Sequence, residues 1–347
     1  MANRLITQIE SQNALLGAVV ANFMLNKLDR IIEYKDADEV TVKGANRIPL
    51  LINDKWFYID TDTDLDTGAD LDTGAVAAGT DYYVYACDNS GSLVFLISAA
   101  STYPSGYNAN TSRKIGGFHT ICAAAGTIGG HTLTDHPANG ILPQSVWDLK
   151  HRARCGSNAG MVWSEEAQVW VDIYLASGTG ASTVSVNGGT ISDTRNWMDF
   201  VDDYGAVGKR MLRDPEFQLI AGGSNEETNI NGDSDPVTTG GHSDSASRRM
   251  ISNIGCEDCC GALYQWLVTP AARLDDGTHA GDWVDLDGAK GSFYTYGIAP
   301  NYYGNTQLFA GGGWGSGTNC GSRCRIADCY RWAANAAIGG RGCAEPL

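Results

Sequence analysis

From Gly288 to its C-terminus the chain is dense in glycine and has no run of apolar residues at helical spacing. Glycine permits positive φ and close backbone approach but brings no side chain to pack. Such a segment folds as short strands, tight turns and long loops whose shape the rest of the molecule must fix. The remaining sequence agrees. Of 347 residues 43 are glycine and only 18% are charged, a balance that excludes a helical bundle. Nine tryptophans and fifteen tyrosines supply enough apolar surface for a core, so the chain is not disordered. The length suits two domains better than one.

A formal net charge of −16 has the wrong sign for gripping phosphates. Neither nucleic acid nor an anionic membrane is expected as a partner. The apolar run Ala14 to Leu25 is too short to insert across a bilayer, and Arg4 alone makes a weak basic start for a signal peptide. It reads as an amphipathic helix with Leu5, Ile9, Leu16, Val20 and Phe23 on one side, suited to pairing with copies of itself or docking on a larger assembly.

Beyond residue 40 the pattern turns strand-like, in 55–60, 82–87 and 93–98. A duplicated Leu-Asp-Thr-Gly-Ala lies between them. Asp62, Asp64 and Asp66 alternate there, but the glycine comes late for a calcium loop and Thr73 stands where the closing Glu should be. An Asp/Thr/Gly turn is the simpler reading. Residues 126–143 read as a linker, with His131 and His136 as solvated turn residues, and the domain boundary is placed here. In the second part, Val169–Tyr174 alternates like a strand. Helices are expected over Trp197–Tyr204 and, as another short helix, over Lys209–Arg213 and Pro215 to Ala221.

Ten cysteines leave several readings open. Cys256-x-x-Cys259 is half of a zinc site, but no second pair follows and no histidine has fitting spacing. Buried thiols and a disulfide fit equally well. No metal and no cofactor are expected.

The segment Arg248 to Leu267, RRMISNIGCEDCCGALYQWL, strongly resembles the variable proteins of diversity-generating retroelements. So does the tail, in Leu308-Phe-Ala-Gly-Gly-Gly-Trp314, Gly321-Ser-Arg-Cys-Arg325 and Ile338-Gly-Gly-Arg-Gly342. The resemblance covers roughly residues 141–347. It implies an α+β chain whose C-terminal domain has the C-type lectin fold of the formylglycine-generating-enzyme type. More loosely, the Leu-Asp-Thr-Gly-Ala repeats, Ala78–Val84 and Ser112–His119 resemble stalk portions of phage tail proteins. The expected domains are therefore 1–140, a leading helix plus a β-rich attachment and oligomerisation domain, and 141–347, a ligand-binding domain with a variable region at about 291–343.

In that family a reverse transcriptase misreads template adenines, chiefly in Asn codons. Varying the first two bases of such codons cannot reach Lys, Glu, Gln, Met or Trp. From Gly291 to Cys343 there is no Lys, Glu or Met and a single Gln, Gln307. The family pattern places varied, ligand-facing positions at Tyr294, Tyr296, Asn301, Tyr302, Gly313, Gly315, Ser316, Ile326, Asp328, Cys329, Ala333, Asn335 and Ala337. The framework expected beneath them is Trp314, Gly317, Arg323, Trp332 and Arg341, with Gly321, Gly339, Gly340 and Gly342 supplying positive-φ turns. The tyrosines are the stronger contact candidates, because a Tyr brings apolar area and a polar tip at low entropic cost.

The resemblance implies a hypervariable receptor-binding protein on a viral or prophage particle, whose partner is a protein or other cell-surface ligand and which has room to form a homotrimer. Three rivals stand beside it. A structural virion protein would bind no receptor. A formylglycine-generating-type oxidase would need a cysteine pair among Cys320, Cys324, Cys329 and Cys343, yet no histidine follows His279 to activate one. A calcium-dependent sugar lectin would have only the acidic loop 225–235, which otherwise reads as solvated and held by Asx turns.

Overall fold

The computed structural model describes residues 30–44, 48–271, 282–284, 293–295, 306–327 and 329–347, with the two three-residue strands described by their backbone. The expected leading helix lies outside them.

The first part is β throughout. Its strands are β1 (Ile32–Tyr34), β2 (Glu39–Val42), β3 (Ile48–Ile52), β4 (Lys55–Ile59), β5 (Thr63–Asp66), β6 (Asp81–Asn89), β7 (Ser92–Ser98), β8 (Ser112–His119) and β9 (Trp147–Asp148). They form sheets ordered β1-β2-β5, β3-β4 and β7-β6-β8-β9. Alternation sets which residues enter the core: Val40 and Val42, then Leu50 and Ile52, then Tyr82 and Val84 are buried. The β6–β7 hairpin turns tightly because Ser90 and Gly91 both take positive φ, 54° and 97°. Buried Asp148 accepts from Ile31 N at 2.6 Å and Ile32 N at 3.2 Å, fastening the first strand to β9. The aspartates weighed as calcium ligands have partners of their own. Asp64 binds Lys35 at 2.8 Å, Asp62 pairs with Lys43, and Asp66 accepts from Gly68 N and Ala69 N.

The second part holds β10 (Met161–Ser164), β11 (Val169–Asp172), helix α1 (Trp197–Ala206), β12 (Arg210–Met211), helix α2 (Asp214–Ile220), β13 (Tyr264–Ala271), β14 (Asp282–Val284), β15 (Phe293–Thr295), β16 (Thr306–Gly311), β17 (Gly321–Ile326), β18 (Ile338–Gly339) and β19 (Gly342–Ala344). Asn196 caps α1 in a capping box with Asp199, accepting from Met198 N and Asp199 N. Of the short helix expected over 209–213 and 215–221, the first half is instead the strand Arg210–Met211, and the helix begins at Asp214. Pro215 in the first turn of α2 admits no helical turn before it, and Glu216 closes the end by accepting from Arg213 N at 2.7 Å. Residues 210–211 therefore pair with β19.

Two sheets frame this part, β10-β11-β19-β12 and β14-β15-β17-β16-β13-β18. β13 pairs antiparallel with β16 and parallel with β18, and Pro270 falls beyond a register shift that starts after Trp266. The chain end threads both sheets, first as β18 beside β13 and then as β19 beside β11.

Residues 126–143, expected to be a linker, fold against the second part. Leu133 and Leu142 join the core built on Val162, Val171, Ile173, Phe217 and Leu267. His131, expected in solvent, is 6% exposed, with its Nε2 3.2 Å from Ile251 O. A buried leucine at a turn gives this polar stretch an anchor that composition does not reveal. His119 adds a polar link, with Nδ1 2.8 Å from Asp81 of β6 and Nε2 3.0 Å from the Tyr174 hydroxyl just past β11.

Candidate ligand-binding surface

The site is built on an aromatic shelf. Trp266 and Phe309, partners on β13 and β16, meet with centroids 3.9 Å apart and planes tilted by 46°, and Tyr264 lies 6.0 Å from Phe309. Strand alternation puts Tyr264 and Trp266 on one face, with Phe309 opposite Trp266 on the neighbouring strand. Trp266 and Phe309 are buried, while Tyr264 is half-exposed at the shelf's edge.

Two groups of the expected varied positions converge on this shelf. Gly313, Ser316 and Ala337 gather round Tyr264. The Ser316 hydroxyl lies 2.7 Å from the Tyr264 hydroxyl and accepts from Gly313 N at 3.0 Å, and Tyr264 N donates to Ala337 O at 2.9 Å. Ile326, Cys329 and Ala333, all half-buried, pack on the cluster that holds Trp266 and Phe309. Gly315 and Asn335 are exposed. Tyr294 sits on β15 in parallel register with Ile326. Tyr296, Asn301, Tyr302 and Asp328 lie outside the described residues.

Gly313 departs from expectation. It is buried, and a Cβ there would stand 3.1 Å from the Tyr264 ring and 3.6 Å from Ala337 Cβ. A side chain there would press on the Tyr264 ring, so Gly313 lines the floor beside it.

The framework is also redistributed. Trp314 is half-buried against the cluster of Leu175, Ile191, Ile230, Met250 and Leu263, and its carbonyl accepts from Asn229 Nδ2. Gly317 has φ +54°. Gly339, Gly340 and Gly342 lack positive φ and are small for a different reason, close approach. A Cβ on Gly340 would meet the Phe200 ring at 2.9 Å, and one on Gly342 would meet Asp172 Oδ2 at 2.5 Å. Trp332 braces nothing as an interior anchor would, since it is 66% exposed and lies in a stack with Tyr330 at 4.6 Å. Arg323 is exposed as well. The buried arginine of β17 is Arg325, which pairs with Asp214, donates to Ser322 O and Cys324 O, and lies over Phe217 at 5.1 Å. A register shift between Ala310 and Gly311 pairs Ala310 with Arg325 but Gly311 with Gly321, so simple alternation misassigns the two arginines.

Arg341 is 1% exposed and its guanidinium meets four acceptors. Nε donates to Gln265 Oε1 at 3.0 Å, one terminal nitrogen donates to Asp172 O at 2.7 Å and Ile173 O at 2.6 Å, and the other donates to Glu257 O. One side chain thus ties β13, β11 and the 256–260 turn together. Gln265 spends its amide on Asp258 O and Cys259 O.

The acidic loop expected in solvent is a buttress. Asn225 and Asn229 are buried, Glu227 N donates to Cys320 O, and the Glu226 carboxylate accepts from Ser322 Oγ at 2.6 Å and Ser322 N at 3.1 Å. The sequence reading missed Glu226, Tyr264, Phe309, Trp197 and Arg331. The last two stack, with the Arg331 guanidinium 4.9 Å from the Trp197 ring. The thiols weighed for catalysis are poorly disposed to ionise. Burial pushes Cys320 up to about 12 and raises Cys324 and Cys343 as well.

Comparison with known proteins follows the same division. Residues 31–148 match the family model described as the Mtd second domain. The tail fiber receptor-binding protein of Bordetella phage BPP-1 is 29% identical over 279 residues, 73% of this chain and 67% of that protein. The solved U1 and M1 variants of the major tropism determinant each superpose with a TM-score of 0.71 at 25% identity, covering 92% of this chain and 84% of theirs. Those proteins have a C-type lectin fold, and the mostly β architecture with few helices seen here matches them. Over both its parts the chain is thus similar to the major tropism determinants, which are variable proteins of diversity-generating retroelements.

Proposed function

We propose that this chain is a hypervariable receptor-binding protein carried on a viral or prophage particle, with a ligand on the surface of a bacterial cell. One observation carries the reading: the half-buried positions expected to vary, Ser316, Ile326, Cys329, Ala333 and Ala337, gather round Tyr264, Trp266 and Phe309. The name of the relative from Bordetella phage BPP-1, a tail fiber receptor-binding protein, supports the same role. Gly315, Ser316, Asn335 and Ala337 would touch the ligand directly. Tyr294, Tyr296, Asn301, Tyr302 and Asp328 would extend the surface. Ile326, Cys329 and Ala333 would tune its floor.

In this reading residues 141–347 form the ligand-binding domain, with variation confined to about 291–343. Residues 1–140 attach it to the particle and gather copies into a homotrimer through the leading helix. Binding requires no covalent chemistry, and the elevated thiols supply none.

The test is adsorption of purified protein to a panel of bacterial strains. Joint replacement of Gly315 and Asn335 by larger residues is expected to change which strains are bound while moving Tm by less than about 2 °C. Unchanged strain preference with an intact fold would refute the assignment.

A further inference from the structure

We infer that the groove between the second Leu-Asp-Thr-Gly-Ala copy and the loop 99–107 is a constant binding site for one neutral sugar ring of a cell-surface glycan. It lies in the first part of the chain, outside the segment expected to vary, and it does not depend on the reading of that segment. The two copies of the repeat put their aspartates to different uses. Asp66 of the first copy turns back on its own loop, accepting from Gly68 N at 2.7 Å and Ala69 N at 2.8 Å. Asp72 of the second copy reaches the opposite wall, where its Oδ2 accepts from Ser98 Oγ at 2.8 Å and Ser105 N at 2.7 Å. Asp72 N donates to Ile97 O at 2.8 Å, and the hydroxyl of buried Tyr85 donates to Ala100 O at 2.7 Å. Gly106, at φ +82°, turns the loop so that Tyr107 N meets Pro104 O at 3.1 Å. Both walls are thus fixed before a ligand arrives.

Between the walls lies an open cavity of about 310 Å³. Tyr103 stands at its lip with 45% of its surface in water, and neither its ring nor its hydroxyl is engaged among the described residues. Beside it are the exposed side chains of Ser105 and Thr73, and Asp72 Oδ1, which has a single long contact, to Thr73 Oγ1 at 3.5 Å. These groups select the ligand by elimination. Among the described lining residues there is no Lys, Arg or His, so an anion would meet only the like charge of Asp72. A cation would find one carboxylate, half of it already committed to Ser98 and Ser105. A wholly apolar ligand would strand Asp72 Oδ1 away from water. A neutral sugar satisfies every group. Its hydroxyls donate to Asp72 Oδ1, a charge-assisted bond, and exchange hydrogen bonds with Ser105 and Thr73. One face of its C–H bonds covers the electron-rich face of the Tyr103 ring.

The test is saturation-transfer NMR on the full-length chain with the methyl glycosides of glucose, galactose, mannose, rhamnose and N-acetylglucosamine, and with tetramethylammonium as a cationic probe. At least one glycoside is expected to bind on the order of 1 mM, with transfer strongest at the C–H protons of one ring face. Tyr103→Ala is expected to weaken it about tenfold, and Tyr103→Phe to retain most of the binding. Ser105→Ala should weaken it about threefold. Melting should be unchanged in all three, because both side chains are exposed. No transfer to any of these glycosides, or transfer that Tyr103→Ala leaves intact, would overturn the inference. Tetramethylammonium binding that needs Tyr103, where no glycoside binds, would overturn the ligand class. Gly315→Arg with Asn335→Arg separates this site from the varied surface. That pair should leave the glycoside signal unaltered, and loss of the signal would place the sugar on the varied surface and sink the groove.

Discussion

Replacing Arg341 by methionine tests whether one buried cation holds the binding platform. The substitution roughly keeps volume and removes four hydrogen bonds, to Gln265 Oε1 and to the carbonyls of Asp172, Ile173 and Glu257. Each hydrogen bond from a charged group is worth about 1.5–3 kcal/mol net. Part of that sum is offset, because methionine also removes the cost of burying a charge. What remains is dominated by acceptors stranded in a dry interior, and the expected loss is about 3–5 kcal/mol. For a unit of this size that lowers Tm by roughly 10 °C. Arg341→Lys is expected to lose nearly as much, since an ammonium cannot reach acceptors spread across the guanidinium plane. Urea unfolding followed by near- and far-ultraviolet circular dichroism measures the change. A methionine variant within about 0.5 kcal/mol of the parent would refute the argument, for it would mean that water or a rearranged backbone satisfies these carbonyls at no cost.

Gly313→Leu is expected to cost about 1–3 kcal/mol through overpacking against Tyr264, whereas Gly315→Leu at an exposed position changes urea stability by under about 0.5 kcal/mol. Glu226→Gln weakens the charge-assisted bonds to Ser322 and should lower stability by about 1–2 kcal/mol, with faster amide exchange over 320–326 as its local sign. His242 gives a pH signature. Burial disfavours its charge, but Asp258 at 2.9 Å outweighs burial with its hydrogen bond and its charge, and the net folded pKa is raised above 6.5. A raised histidine contributes stability in full below its unfolded value and loses it as pH climbs through the folded value. Stability should therefore fall as pH rises from about 6.5, and His242→Gln should remove that slope; an unaltered slope counts against the pair.

The alternating strands of the first part were legible because period-two burial is written directly in residues such as Tyr82 and Val84. The α1 start at Trp197 was legible from its acidic residues, although its cap is Asn196, just past the Ser192–Arg195 stretch that the sequence singles out. The failures share one cause, which is that they depend on contacts distant in sequence. Leu133 draws a polar stretch into the core across a long separation, and the acidic loop turns inward because Glu226 finds Ser322. Arg323 and Arg325 exchange roles through a register shift that only the pairing with β16 reveals. The family pattern put Gly313 on the surface and Trp332 in the framework, yet Gly313 is buried and Trp332 is exposed, because a glycine can mark an occupied space as readily as an open one. Tyr264, which decides between those cases at Gly313, carries no signal of its own in the sequence.

If the proposed reading holds, the diversified surface need not be uniformly tolerant, because its positions are graded by distance from the shelf. Gly315 and Asn335 project into solvent, where a new side chain displaces only water. Ser316 and Ala337 border Tyr264, so a larger residue must trade the hydroxyl contact between Ser316 and Tyr264 for its own packing. Ile326, Cys329 and Ala333 rest on the cluster around Trp266 and Phe309, where polar replacements lose burial worth about 25 cal/mol per Å² of apolar area. At Gly313 the space is already filled. If variants are drawn at random over these positions, the folded survivors should keep small residues at 313, apolar or compact ones at 326, 329 and 333, and unrestricted ones at 315 and 335. Repertoire size is then set by how well Arg341, Arg325 and Glu226 hold the backbone, because each kilocalorie they contribute allows more of the costly inner substitutions to remain folded.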